Sequence, residues 1–148
     1  MAEEWKPTPE DYRDIYNFCD ASREGDLATV RQMVQEHGSK LIMAKDKLGS
    51  TALMYASIDG RLKVVKYLLE EGGKPLAMAR DDDNNTALMY ASLGGWIDVV
   101  EALVETGGRD LFLAKDVDGI TALMISSTQG RLAVVKFLAE RGGGGLVR

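Results

Sequence analysis

An all-α repeat solenoid, built from helix–turn–helix units joined by short hairpin-like fingers, is the fold class this sequence predicts. Three observations carry the prediction. First, Thr-Ala-Leu-Met recurs at residues 51–54, 86–89 and 121–124, a step of 35 residues each time. Second, the register extends well beyond that string. Asp46, Asp81 and Asp116 align, as do Gly60, Gly95 and Gly130, the pairs Val64-Val65, Val99-Val100 and Val134-Val135, and then Leu68, Leu103 and Leu138. Glycine pairs close each unit (Gly72-Gly73, Gly107-Gly108, Gly142-Gly143), followed at a fixed distance by Leu76, Leu111 and Leu146. Third, one such unit cannot bury its own apolar face, so the units must stack.

Residues 1–10 read as a leader. One period back from the first clear unit lies a degenerate one, reached without a gap: Phe18, Ala21, Gly25, Val30, Gly38 and Leu41 fall on Leu53, Ala56, Gly60, Val65, Gly73 and Leu76. The units are therefore 11–45, 46–80, 81–115 and 116–148, the last cut short, with no length left for a second domain. Within a unit, Thr51 suits an N-cap and the run to Ser57 forms a helix of about two turns. Gly60 marks the chain reversal, where a positive φ is needed. Leu62, Val65, Leu68 and Leu69 then lay an apolar stripe along a second helix. Gly72-Gly73 ends it, and a return segment leads into the next finger through a tight turn. Asn84 holds the turn position of Gly49 and Gly119, where Asn is the usual stand-in for glycine.

The two ends differ. In the first unit Thr29 replaces Val64, Gln32 replaces Tyr67, and Asn17 and Asp20 replace Ala52 and Tyr55, the polar change a terminal repeat needs. In the fourth, Val134 and Phe137 stay apolar and Ala133 stands where Lys63 and Asp98 are. The expectation is an uncovered apolar end, met either by a chain continuing beyond Arg148 or by pairing with another molecule. The alternative is that Val134 and Phe137 turn inward against the third unit and leave only a modest patch.

The string Asp46-x-x-Gly49-x-Thr51-Ala52-Leu53-Met54-x-Ala56-Ser57, followed by Gly60-Arg61, Val65-x-x-Leu68-Leu69 and Gly72-Gly73, resembles the ankyrin repeat. That family carries an Asp-x-x-Gly finger, then Thr-Pro-Leu-His-x-Ala-Ala, Gly-His, a Val-x-x-Leu-Leu helix and a Gly-Ala end. The resemblance covers residues 11–148. It implies an ankyrin-type solenoid whose fingers and first helices form a concave surface that binds other proteins. Two departures stand out. The family period is about 33 residues, so about two are added here between the second helix and the next finger. Ala52 and Met54 replace Pro and His, which removes a preset φ at the helix start and a polar bridge to the Thr hydroxyl. Met54, Met89 and Met124 then serve as flexible apolar packing.

Chemistry is sparse. The chain is 45% hydrophobic and 28% charged over 148 residues, ordinary for a folded domain. A net charge of −5 argues against a general nucleic-acid or anionic-membrane binder. No apolar run approaches the ~18 residues of a membrane span, and the N-terminus lacks signal-peptide character. Cys19 is the single cysteine, which excludes an intramolecular disulfide and fits the cytosol or nucleus. It aligns with Met54 and reads as packing. His37, the only histidine, falls at a helix end where a cation suits the dipole. Asp81-Asp82-Asp83 lacks the alternating ligands of a Ca²⁺ loop, and Gly142 to Gly145 is not followed by the Gly-Lys-Ser/Thr of a phosphate loop. No catalytic, metal or cofactor site is expected, and the chain is not read as an enzyme.

The positions that the repeat leaves free mark a candidate surface: Lys47, Leu48, Ser50, Ile58 and Asp59; Asp82, Asp83, Asn85, Leu93 and Gly94; Val117, Asp118, Ile120, Thr128 and Gln129. Arg61, Trp96 and Arg131 flank the inter-helix turn. Leu48, Ile58, Leu93, Trp96, Val117 and Ile120 are apolar where solubility alone favours polar residues. Either they tuck against neighbouring fingers or they form a protein-binding patch, with Trp96 and Leu93 as anchors. Unit charges of −3 (leader included), +2, −5 and +1 either orient a partner or describe a solvated face. The expected function is a non-enzymatic protein–protein interaction module with an unidentified partner. The alternatives are a structural segment that self-associates through its C-terminal repeat, and an engineered or excised scaffold.

Overall fold

The computed structural model describes residues 4–146. Among them are α1 (Pro9–Glu24), α2 (Leu27–His37), α3 (Lys40–Met43), α4 (Ala52–Ile58), α5 (Leu62–Ala77), α6 (Ala87–Gly94), α7 (Ile97–Gly107), α8 (Arg109–Leu113), α9 (Ala122–Thr128) and α10 (Leu132–Leu146). The first helices of the units, α1, α4, α6 and α9, stack side by side in one layer, and the second helices α2, α5, α7 and α10 form the layer behind. The end of the fourth unit at Arg148 and the side chain of Leu146 lie outside the described residues.

Local chemistry explains each start and stop. Thr51, Thr86 and Thr121 accept the N–H of Met54, Met89 and Met124 through their hydroxyls at 3.4, 3.4 and 3.3 Å. The thioethers of Met54 and Met89 accept the threonine N–H in return at 3.5 Å, so these methionines close the cap as well as filling the core. Helix α1 starts earlier than the expected leader boundary. Thr8 caps it, with the Asp11 N–H on its hydroxyl and its own N–H on the Asp11 carboxylate. Asn84 adopts φ 67°, matching Gly49 and Gly119 at 77°.

The added residues of the long period are not a plain return segment. A short third helix follows the glycine pair, or His37-Gly38 in the first unit: α3 in the first unit, α8 in the third, and in the second the end of α5, which breaks at Gly73 with φ 61° and ψ −156°. This turn drops Leu41, Leu76 and Leu111 into full burial beneath the second helix, each stabilising the stack by about 1.5–3 kcal/mol. At 72 and 107 the glycines let the leucine pack close, since a Cβ there would stand 2.6 Å from Leu76 or Leu111, whereas the first unit carries His37 at that place.

The core runs unbroken through all junctions, from Ile15 and Phe18 through Leu53, Val64, Leu88 and Val99 to Val134 and Leu138. Val134 is 0% exposed, which corrects the expectation that it lies on an open end. Like Val64 and Val99 it faces the preceding unit, and α10 packs on α7 and α8. Phe137 is half-buried, with the Arg141 guanidinium 5.0 Å from its ring centroid. The uncovered apolar face of the fourth unit is made instead by Leu123, Met124 and Leu132, the last 79% exposed.

Candidate protein-binding surface

One carboxylate organises each finger. Asp46 Oδ1 accepts the N–H groups of Leu48 and Ser50, both at 2.9 Å. Asp81 does the same for Asp83 and Asn85 at 3.0 and 2.8 Å, and Asp116 for Asp118 and Ile120 at 2.8 and 2.9 Å. Backbone bonds then tie finger to finger: the Asp82 N–H donates to the Leu48 carbonyl and the Val117 N–H to the Asp83 carbonyl, each at 3.1 Å. Arg80 adds a bond to the Lys115 carbonyl at 2.8 Å. The fingertips are held in a line, and Leu48 and Val117 stand out from it at 67% and 65% exposure.

In the second and third units the other carboxylate oxygen is taken by a tyrosine. The Tyr55 hydroxyl donates to Asp46 and the Tyr90 hydroxyl to Asp81. Burial first, and then these bonds, push Tyr55 up to about 12 and Tyr90 up in the same direction. Ile125 occupies this place in the fourth unit.

A second repeating device fastens the inter-helix turns. Arg61 Nε donates to the Arg23 carbonyl at 2.9 Å, Trp96 Nε1 to the Ile58 carbonyl at 2.8 Å, and Arg131 Nε to the Leu93 carbonyl at 3.1 Å. Each of these side chains lies across a glycine of the preceding unit, Gly25, Gly60 or Gly95, where any Cβ would collide with it. Trp96, 42% exposed, is therefore a staple between the second and third units, and the expectation of a free partner anchor is corrected to that extent.

Of the positions read from the sequence, Lys47, Leu48, Asp59, Asp82, Asp83, Leu93, Val117, Asp118, Thr128 and Gln129 are exposed, and Ile58, Asn85 and Ile120 are half-buried. Ser50 is a correction. It is 8% exposed, because its backbone closes the Asp46 turn and its side chain faces inward. Lys47 turns back, its Nζ 5.5 Å from the Tyr12 ring centroid. Sequence reasoning missed Met89, Tyr90 and Ile125, which with Leu93 and Ile120 line a recess of about 380 Å³ between the third and fourth units. The signal was available in the break of pattern at Ile125, where Tyr55 and Tyr90 precede it. Cys19 is buried, which pushes its thiol up to about 12, and it is inert in that state. His37 Nδ1 lies 3.6 Å from the Asp14 carboxylate. Among the described residues no group of three or more His, Cys, Asp and Glu is arranged to hold a metal.

A line of stacked helix pairs with projecting fingers defines a repeat solenoid. The family model described as ankyrin repeats (3 copies) matches the chain over two stretches, residues 18–79 and 74–145, and the chain belongs to the ankyrin-repeat family. Four helix pairs are present, the first beginning ahead of the matched stretch. Ankyrin repeats are in general modules of protein–protein interaction. No curated protein matches the chain.

Proposed function

We propose that this chain is a non-enzymatic protein-binding module whose partner docks on the fingers and first helices of the second to fourth units. The observation that carries the reading is the exposure of Leu48 and Val117 on fingertips that hydrogen bonds hold in place. Apolar side chains on a hydrogen-bonded, solvent-facing line stabilise no core, and a partner that covers them gains their burial with little backbone left to order. The net charge of −5 supports a protein partner over nucleic acid or an anionic membrane. Residence in the cytosol or nucleus belongs to the same proposal, supported by the single, buried thiol. The test is capture of an interactor on immobilised protein, identification by mass spectrometry, and calorimetry with the purified interactor. A Leu48→Lys, Val117→Lys double variant should bind at least about tenfold more weakly with its melting temperature unchanged. An unaltered affinity would move the site elsewhere.

A second reading, self-association through the fourth unit, is favoured by the exposure of Leu123, Met124 and Leu132. Light scattering over a concentration series decides it. Self-association abolished by Leu132→Glu supports it, and a monomer throughout removes it.

A further inference from the structure

The groove between the fingers and first helices changes character along the stack. At the junction of the first and second units it holds a recess of about 90 Å³ with mixed walls, Asp20, Arg23, Asp46 and Tyr55 together with Tyr16 and Cys19. The same part of the fold at the junction of the third and fourth units opens to about 380 Å³, walled mainly by Met89, Tyr90, Leu93, Ile120 and Ile125, with the polar Asn85, Thr128 and Gln129 also in its lining. Two departures from the repeat make the difference. Ile125 stands where Tyr55 and Tyr90 close their fingers, and Ile120 where Ser50 and Asn85 stand. Neither isoleucine is demanded by the fold, since the second and third units form the same finger and helix with polar residues there. Both are half-buried and hold apolar surface in water, at about 25 cal/mol per Å², which an apolar occupant would remove.

Charge decides what kind of chain brings that occupant. Of the third unit's acidic residues Asp81, Asp82 and Asp83 lie on its finger. The fingertips beside the recess present Asp83 and Asp118, both exposed, while the cation fastened beside it, Arg131, has its Nε on the Leu93 carbonyl. Asp116, at the base of the last finger, bonds the N–H groups of Asp118 and Ile120 and has Ile125 where its counterparts have a hydroxyl. Cationic residues beside the occupant meet these carboxylates, and acidic ones are repelled.

We infer that the recess between the third and fourth units receives one bulky apolar side chain, leucine, methionine or aromatic, from an extended segment of a partner protein whose flanking residues are lysine or arginine. The inference rests on the concave face being the binding surface. It is tested by panning a phage-displayed library of random peptides of about 12 residues against the wild-type protein and against Ile125→Tyr. Tyrosine is the repeat's own residue at that place, so the variant fills the recess while keeping the fold, as its melting temperature should show. Ile120→Asn, which copies Asn85, is the second variant. Wild-type protein should enrich peptides with one bulky apolar residue between basic ones. The best of these, synthesised, should lose about tenfold or more in affinity on Ile125→Tyr, on Ile120→Asn, and on truncation of its own apolar residue to alanine. Enrichment of acidic peptides, enrichment of none, or a best peptide indifferent to both isoleucine substitutions would overturn the assignment. A peptide indifferent to these yet lost on the Leu48→Lys, Val117→Lys variant would leave the concave surface standing and remove only the recess.

Discussion

The two ends of the stack carry the same helix pair and finish it in opposite ways. On the outer side of the first unit Tyr16, Asn17 and Gln32 are exposed and Thr29 is half-exposed, and Gln32 bonds Glu36 within its own helix at 2.9 Å. The outer side of the fourth unit exposes Leu123, Met124 and Leu132. Leu53, Met54, Leu88 and Met89, the counterparts of the first two, are buried, and Leu62 and Ile97, those of the third, are half-buried. The difference teaches that a repeat has two unlike stacking faces. Positions 64 and 99 face backward and positions 53, 54, 88 and 89 face forward, so polar replacement at one end says nothing about residues at the same positions at the other.

The strongest way to break the comparison is to remove the polar end. Deleting residues 1–45 uncovers Ala52 and Val64, both 0% exposed, and should abolish cooperative thermal unfolding or aggregate the protein, read by circular dichroism and light scattering. A soluble product of equal stability would show that the first unit covers nothing of consequence. Next in size is a matched pair. Leu88→Ala removes a fully buried forward-facing side chain and should cost about 2–5 kcal/mol in denaturant unfolding. Leu123→Ala, the same substitution one period later, should cost under about 1 kcal/mol. Equal losses would mean that the fourth unit's forward face is covered in solution.

Trp96→Ala comes third, expected at about 1–3 kcal/mol from the lost bond to the Ile58 carbonyl and the packing over Gly60. Unchanged stability with weakened partner binding would restore the surface-anchor role that its type suggested.

The smallest effect is a pH dependence that separates the second and third fingers from the fourth. Tyr55 is raised to about 12 in the folded protein against about 10 unfolded, so the fold favours the neutral phenol. Its contribution is complete below pH ~10 and is lost as pH rises through about 12. The Tyr90 hydroxyl, bonded to Asp81 and also raised, acts in the same sense. Between those values hydrogen exchange should quicken first at the second and third fingers and not at the fourth, where Ile125 has no hydroxyl to lose. Uniform quickening would deny the tyrosine locks a distinct role.

Periodicity made the stacking, the caps and the turns legible, because Thr51, Gly60 and Asn84 each answer a local backbone requirement that a sequence displays. The third helix was not legible. Leu41, Leu76 and Leu111 showed the correct phase, but four or five residues carry too little periodicity to separate a helical turn from a return loop. Of the candidate surface, the fingertips were legible as free positions, whereas the inward side chain of Ser50 and the bond from Trp96 to the preceding unit depend on the neighbour. Val134 was misplaced for the reason given by the two ends: its apolar character was read correctly and its facing was not.

The staple at Arg61, Trp96 and Arg131 has a consequence for how such a chain grows. Each of these units brings a side-chain donor for the carbonyl behind it, and the second and third units also offer a carbonyl and a bare glycine to the unit ahead. A length of coding sequence one period long, duplicated in frame, therefore encodes both halves of its own fastening. The copy fits between its parents without a compensating change in either. The fastening thus lets the stack lengthen by whole units before any single residue has to change.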